Sequence, residues 1–309
     1  MGHTLVRLWG SPREMGHAQG ELLRGEILSL ARAVLPTESG MEDFLIRGCG
    51  ERIWPEVPES EREEMEGIAA ATGLDRFQVL FLHTRFELQR FGLLKDSAKF
   101  RGRAAVGAGK RVVQHYDEAS LGVPTSQLVL VLREGGRGSL LVALPGMVGG
   151  FCGARPGCVA ALEPMEVEID PSLKAPPWTI FLRSVLEAPP SVGRALDLAP
   201  SVYASVPINA KGLGIGTLVV GPPGAGFLAS EQFAVAADVS DVPSGSVVAS
   251  LTASMERRRE RLTAGMSLFS DPAPPGVLSI GLSASPKAVV VTFRAGEGTK
   301  TGKVSFKGR

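Results

Sequence analysis

Residues 139–162 read SLLVALPGMVGGFCGARPGCVAAL, and this stretch carries the pattern that decides the fold class. Its two ends, Ser139–Leu144 and Cys158–Leu162, are short aliphatic runs bounded by glycine and proline, a pattern typical of β-strands. The same texture recurs along the chain after Ala98. It predicts further strands at Arg103–Val106, Lys110–Tyr116, Gln127–Arg133, Leu213–Val220, Gly226–Ser230, Ala288–Phe293 and Lys303–Phe306.

The first ninety residues have a helical texture instead. Apolar residues of Pro12–Val34 follow a 3.6-residue period, and Ser11 is placed to cap that helix. Further helices are predicted at Pro58–Gly73, Asp75–Gly92, Trp178–Ala188, Ser191–Leu198 and Ser254–Met266. Because strands and helices come in runs, the pattern favours an α+β fold over alternating βαβ units. We expect one domain, 1–309, with a mostly helical segment at 1–97 and layered sheets at 98–309.

The charge balance excludes several classes of partner. The chain has 33 Lys and Arg against 32 Asp and Glu, a formal net charge of +1, which favours neither nucleic acid nor an anionic membrane. The N-terminal residues lack the apolar core of a secretory signal. The longest apolar stretch, Leu140–Phe151, is too short to span a bilayer. We therefore expect a soluble, cytoplasmic protein that binds no nucleic acid and no membrane, while a protein partner stays open.

Glycine-rich segments, cysteines and histidines offer only weak site motifs. Gly212–Thr217 lacks the third glycine of a dinucleotide loop, and Gly221–Gly226 lacks the Lys and Ser/Thr of a phosphate loop, which favours a hairpin turn. The three cysteines and four histidines are scattered, without the spacing of metal ligands. We predict no cofactor and no metal, and we interpret Cys152 and Cys158 as inert buried thiols.

Several segments, taken in chain order, resemble one enzyme family. They are GSPREMGHAQG at 10–20, EMEGIAAATG at 64–73, RFEL at 85–88, PGMVGG at 145–150, CGARPG at 152–157, FLRSVLEA at 181–188 and SMER at 254–257. In this order they are similar to the acyl-coenzyme A:6-aminopenicillanic acid acyltransferase family (C45 peptidases), a group of N-terminal nucleophile (Ntn) hydrolases. The resemblance spans most of the chain.

The resemblance implies a four-layer αββα sandwich and a self-cleaving enzyme. In such an enzyme, autocleavage exposes a cysteine whose own α-amino group acts as its base. The cysteine attacks an amide or thioester carbonyl, and the acyl group passes to water or to an amine. The ligand implied is a small molecule or peptide that carries an acyl or amide group.

The expected cysteine is absent. No Cys occurs between Glu87 and Asp117, where the resemblance places the nucleophile at the start of a strand. Ser97 is the hydroxyl nucleophile that stands in this window before the strand. The bond between Asp96 and Ser97 is therefore the candidate autocleavage junction.

Two further positions depart from the family's pattern near the expected oxyanion site. His115 stands where the family has asparagine, whereas the following Asp117 is retained, and Arg155 replaces another asparagine. Amides donate hydrogen bonds without charge, so His and Arg change both shape and electrostatics. The candidate catalytic residues are Ser97, His115 and Asp117, and the candidate substrate-binding residues are Arg155 and Arg85.

Three hypotheses remain open. The first is a catalytically degenerate relative, not an enzyme, that kept the fold and acts as a binding or partner protein. The second is an active Ntn-type hydrolase or acyltransferase on linear amide or thioester bonds, using Ser97 or a rearranged site in which His115 and Asp117 form an acid–base pair. The third is a structural α+β protein with no pocket chemistry. We favour the first, because three functional positions differ while the scaffold glycines are retained.

Overall fold

The computed structural model describes residues 4–36, 40, 43–90, 105–108, 111–117, 121–134, 138–156, 158–164, 176–187, 215–221, 224–229, 235–236, 247–249, 277–285, 287–295 and 298–306. Over these residues the chain is a mixed α+β protein with helices and two β-sheets, which confirms the predicted class. None of the helices in this part of the chain combines the length and the hydropathy that crossing a membrane requires.

The helices are concentrated in the N-terminal part. They are α1 (Pro12–Leu22), α2 (Arg24–Val34), α3 (Cys49–Ile53), α4 (Glu59–Thr72), α5 (Arg76–Arg90) and α6 (Trp178–Glu187). A π-helical turn (Asp43–Gly48) precedes α3, and single 3-10 turns lie at Trp54–Glu56 and Thr125–Gln127. The helices predicted at Ser191–Leu198 and Ser254–Met266 lie outside the described residues.

The strands begin before the first helix and continue to the C-terminal end. They are β1 (Leu5–Trp9), β2 (Ala105–Ala108), β3 (Arg111–Asp117), β4 (Val129–Glu134), β5 (Ser139–Ala143), β6 (Cys152–Arg155), β7 (Cys158–Pro164), β8 (Ile215–Gly221), β9 (Gly224–Ala229), β10 (Val235–Ala236), β11 (Val247–Ala249), β12 (Val277–Ala284), β13 (Ala288–Ala295) and β14 (Gly298–Ser305).

The start of α1 follows directly from its sequence. Ser11 Oγ accepts the N–H of Glu14 at 3.4 Å, and the Glu14 carboxylate accepts the N–H of Ser11 at 2.8 Å. This reciprocal pair satisfies two backbone donors at the helix start. The predicted single helix Pro12–Val34 is wrong in one respect, because it divides at Leu23. The backbone of Leu23 leaves the helical region (φ −116°) and its side chain is buried.

Glycines make the closest contact between α1 and α4. A Cβ atom on Gly16 would lie 1.8 Å from the carbonyl oxygen of Glu64, and one on Gly67 would lie 2.2 Å from that of Arg13. Only glycine allows two helix backbones to approach this closely. The glycines that weaken α1 as an isolated helix are therefore the residues that dock it.

The first sheet has the strand order β1-β4-β5-β6-β7-β8-β9-β10. The sequence did not predict β1, which pairs in parallel with β4, placing Leu5 opposite Leu130. The first four residues of the glycine-rich segment 152–157 form strand β6, which pairs with β5 and β7. The predicted hairpin turn is confirmed, because β8 and β9 are antiparallel with Gly221 opposite Gly224.

The second sheet has the order β11-β2-β3-β12-β13-β14, and all of its neighbours are antiparallel. It contacts the first sheet through buried side chains. The ring of Tyr116 in β3 lies 5.9 Å from that of Phe151, beside β6. On the other face of the first sheet, α6 packs against β5, β6 and β7. The described core therefore has a helix, a sheet and a second sheet in succession.

Candidate functional site

The predicted nucleophile, Ser97, lies outside the described residues. The first described strand after α5 is β2, and its four residues are Ala, Val, Gly and Ala. β2 pairs with β3, with Ala105 opposite Gln114. No residue of β2 has a side chain that could attack a carbonyl carbon.

His115 and Asp117 both belong to β3, on either side of Tyr116. In the neighbouring strand β12, Ser279 pairs with His115 and Val277 with Asp117. The structure therefore places the two candidates in an inner strand of the second sheet, between β2 and β12. The residue between them, Tyr116, is fully buried, and its hydroxyl lies 3.1 Å from Cys152 Sγ in the first sheet.

Cys152 is not prepared to act as a nucleophile. Its side chain is fully buried and not part of a disulfide. Burial raises the pKa of the Cys152 thiol to about 12, while the hydrogen bond with Tyr116 opposes the rise only in part. The thiolate is the reactive form of cysteine, so this thiol stays protonated and unreactive at neutral pH. The prediction of an inert buried thiol is confirmed for Cys152.

Arg85 joins α5 to the segment that leaves β3. It is almost fully buried, and its Nη2 donates a hydrogen bond to the carbonyl oxygen of Leu121 at 2.7 Å. Its guanidinium carbon lies 4.1 Å from the ring centroid of Phe86, which packs edge-on against Phe151 at 5.3 Å. Arg85 therefore lies inside the protein, where α5 contacts the segment that begins at Leu121.

Arg155 lies at the end of β6, in the other sheet, and is also buried. Successive side chains of a strand point to opposite faces. Cys152 faces the second sheet, so Gly153 and Arg155 lie on the face that α6 covers. The position of Gly153 agrees, since a Cβ atom there would lie 2.5 Å from Leu186 of α6. The two candidate substrate-binding arginines therefore occupy different surroundings.

A buried ionic cluster, which the sequence analysis missed, lies between the helices and the first sheet. Glu64 of α4 is fully buried. Its carboxylate accepts hydrogen bonds from Arg133 of β4 (Nε–Oε1 3.0 Å, with a second bond from Nη2) and from Arg183 of α6 (Nη1–Oε2 2.6 Å). Arg183 Nε also lies 2.8 Å from Glu187 Oε1 and 3.5 Å from Glu61 Oε1. We call these five residues the Glu64 cluster.

The charges of the Glu64 cluster depend on one another. Burial alone would raise the pKa of Glu64, but Arg133 and Arg183 outweigh burial and hold that pKa below its ordinary value. Burial likewise opposes the charged form of Arg183, yet Glu64, Glu187 and Glu61 raise its pKa above the ordinary value. Removing one partner would leave a buried charge without compensation.

The sequence does contain a signal for this cluster. Arg133 ends the apolar run VLVLR, and Arg183 interrupts the apolar run IFLRSVL of α6. A charged side chain inside such a run is rarely buried without a partner. The partner cannot be read from the sequence, because Glu64 and Arg183 are 119 positions apart.

His83 of α5 fixes the segment between β5 and β6. Its Nε2 accepts the N–H of Val148 at 3.0 Å, so the ring proton is on Nδ1, which donates to Thr179 Oγ1 at 2.8 Å. Burial, together with Arg133 and Arg183, lowers the pKa of His83 to about 3. His83 is therefore neutral at neutral pH and links three elements.

Metal binding has no support within the described part of the chain, where no three His, Cys, Asp or Glu side chains are grouped to hold an ion. Compared with protein-family models and with curated proteins, the chain matches none.

Proposed function

We propose that this chain is a catalytically degenerate relative of the acyl-coenzyme A:6-aminopenicillanic acid acyltransferase family, with an αββα arrangement, which acts as a binding or partner protein. The supporting observation is the content of β2. The family needs its nucleophile at the start of a strand that follows the helical segment. Among the described residues, the first strand after the helical segment is Ala105–Ala108, and it contains only Ala, Val and Gly.

The neighbouring groups also favour binding over chemistry. Cys152 is held in its protonated form by burial and lies in the other sheet. Arg85 already donates a hydrogen bond to the carbonyl oxygen of Leu121, so it stabilises the fold. The proposed ligand carries an acyl or amide group, and it would leave the protein chemically unchanged.

Intact-mass measurement of the purified chain tests the loss of autocleavage. The proposal predicts a single species near 32.5 kDa that stays intact during long incubation. Two fragments, the first ending at Asp96 and the second starting at Ser97, would contradict the proposal and support an active Ntn hydrolase.

Turnover of linear amides and acyl thioesters tests the loss of catalysis. We expect the wild-type chain and Ser97→Ala to show the same background rate, and a bound acyl amide to be recovered intact. Ser97→Ala is the matched control, because it removes the candidate hydroxyl nucleophile. An acyl adduct on Ser97, detected by peptide mass, would overturn the proposal.

A further inference from the structure

The segment between β5 and β6 is held in place by side chains and backbone from the helices. We call residues 144–151 the β5–β6 turn; all of them are buried. Gln19 Nε2 donates to the carbonyl oxygen of Met147 at 3.3 Å, and Arg183 Nη1 donates to that of Val148 at 3.1 Å. The N–H of Gly150 donates to the backbone oxygen of Thr179 at 3.0 Å.

His83 supplies the titratable bond to this turn. The N–H of Val148 points at the lone pair of His83 Nε2, and the other ring nitrogen is engaged with Thr179. A second proton on the ring would occupy that lone pair, so that two N–H groups would face each other. The ring has no exposed surface, so no water is at hand to solvate the new charge. Protonation of His83 therefore destabilises the closed turn.

The charged groups around His83 make its protonation still less favourable. Arg133 of β4 and Arg183 of α6 are the cations that act on the ring. The carboxylates of Glu64, Glu61 and Glu187 are bound to these arginines. Burial and the two cations lower the pKa of His83 to about 3. A third cation would thus enter a cluster whose carboxylates are already paired.

We propose that the β5–β6 turn is an acid-sensitive conformational element: a proton from water adds to His83 Nε2, the bond to the N–H of Val148 breaks, and the turn opens to expose Cys152. Cys152 directly follows the turn and is fully buried. Phe151, the last residue of the turn, packs against Tyr116, whose hydroxyl lies 3.1 Å from Cys152 Sγ, so displacement of the turn would uncover this thiol. This inference stands on the described side chains and is independent of the function proposed above.

The expected size of the effect follows from linkage. In the open turn His83 is solvated and regains an ordinary pKa near 6.5. With a pKa of about 3 in the closed turn, the open fraction is about 30-fold larger at pH 5 than at pH 7.5.

Thiol labelling of the full chain with 4,4′-dithiodipyridine, which reacts with thiols at both pH values, tests this opening. The rate at Cys152, read residue by residue by mass spectrometry and divided by the rate for an unstructured peptide, is expected to rise about 30-fold. Cys49, buried in α3, is the internal reference for global unfolding. Because global unfolding also becomes more frequent as the pH falls, the expected result is a normalised rate at Cys152 that exceeds the rate at Cys49 at both pH values. Equal normalised rates at the two cysteines would mean that only global unfolding exposes Cys152, and would overturn the proposal.

Two variants assign the effect to His83. In His83→Gln the amide keeps one donor and one acceptor but does not titrate, so the pH dependence of Cys152 labelling should disappear. In His17→Gln, which alters a half-exposed histidine of α1, the roughly 30-fold ratio should remain. A ratio that persists in His83→Gln would contradict the proposal.

Nitrogen NMR of the wild-type imidazole tests the same idea without a variant, in case His83→Gln does not fold. The proposal requires a neutral ring, with its proton on Nδ1, in the folded chain at pH 5. Titration of His83 in the folded chain near its ordinary pKa would overturn it.

Discussion

At the scale of single residues, the structure places a charged side chain in the core between the helices and the first sheet. Glu64 has no exposed surface, and it pairs with two buried guanidinium groups. Two helices and a strand meet at this carboxylate, since Arg133 comes from β4 and Arg183 from α6. The single position therefore joins elements that are far apart in the chain.

Replacing Glu64 by Gln keeps the side-chain shape and removes the charge. We expect the free energy of unfolding to fall by about 3–5 kcal/mol, because both arginines then lose their shared buried counter-charge. Glu66→Gln is the matched control on the same helix. Its carboxylate is partly exposed and lies 4.0 Å from Arg13, so the change should stay within about 0.5 kcal/mol. Equal urea midpoints for the two variants would show that the cluster does not stabilise the fold.

Prediction from sequence succeeded for a residue whose burial follows from its neighbours in the chain. Cys152 lies among small apolar residues, which was enough to predict a buried thiol. His83 also lies in an apolar run, but its role depends on Val148 and Thr179, which are distant in the chain. Composition and spacing do not contain that pairing, so the sequence showed only one more scattered histidine.

At the scale of elements, the crossing of α1 and α4 depends on glycine. Gly16→Ala would place a methyl group against the carbonyl oxygen of Glu64, 1.8 Å from an ideal Cβ position. The two helices must then separate, and we expect a loss of about 3 kcal/mol in a urea unfolding series.

Gly25→Ala provides the opposite expectation within the same helical segment. Gly25 is in α2, and a Cβ atom there would meet no atom within 4 Å. Alanine favours the helix and restricts the unfolded chain, so we expect a gain of about 0.5 kcal/mol. If both substitutions destabilised the protein, the close contact between α1 and α4 would not explain the cost of Gly16→Ala.

Whether an element could be predicted depended on how much of its pattern was local. The helix α1 carries its own cap at Ser11, and Gly73 ends α4 with φ of 83°. The strand β12 was not predicted, although its sequence, VLSIGLSA, alternates apolar and small residues as a strand with one buried face does. The strand β6, by contrast, has the sequence CGAR, which reads as a turn, and becomes a strand only because β5 and β7 pair with it.

At the scale of the whole molecule, the sequence predicted the class of the fold and the order of its parts better than its site. Runs of short strands after a helical segment were sufficient for an α+β fold. The proposed site depends on the order of the strands and on the direction in which their side chains point. Both are set by pairing between segments that are distant in the chain. Arg155 illustrates the limit, since only the contact of Gly153 with Leu186 places it on the helix-facing side of β6.

The stability of the whole molecule should respond to acid in a window that His83 sets. Its pKa is lowered from 6.5 to about 3 by burial and by Arg133 and Arg183. Between pH 3 and pH 6.5, His83 is therefore protonated in the unfolded chain and neutral in the folded chain. Stability from His83 is therefore complete above pH 6.5 and is lost as the pH falls toward 3. By pH 5 the loss amounts to about 2 kcal/mol.

Glu64 acts in a lower range, which allows the two groups to be separated. Its pKa is held below the ordinary 4.5, so the stability it contributes is present above about 4.5 and is lost as the pH falls further. Urea unfolding between pH 7.5 and 5 therefore separates the contribution of His83 from that of Glu64. We expect His83→Gln to lose about 2 kcal/mol less than the wild-type chain over this interval. Parallel curves for the two proteins would contradict a buried, neutral His83, because a group that binds protons equally in both states gives no pH dependence.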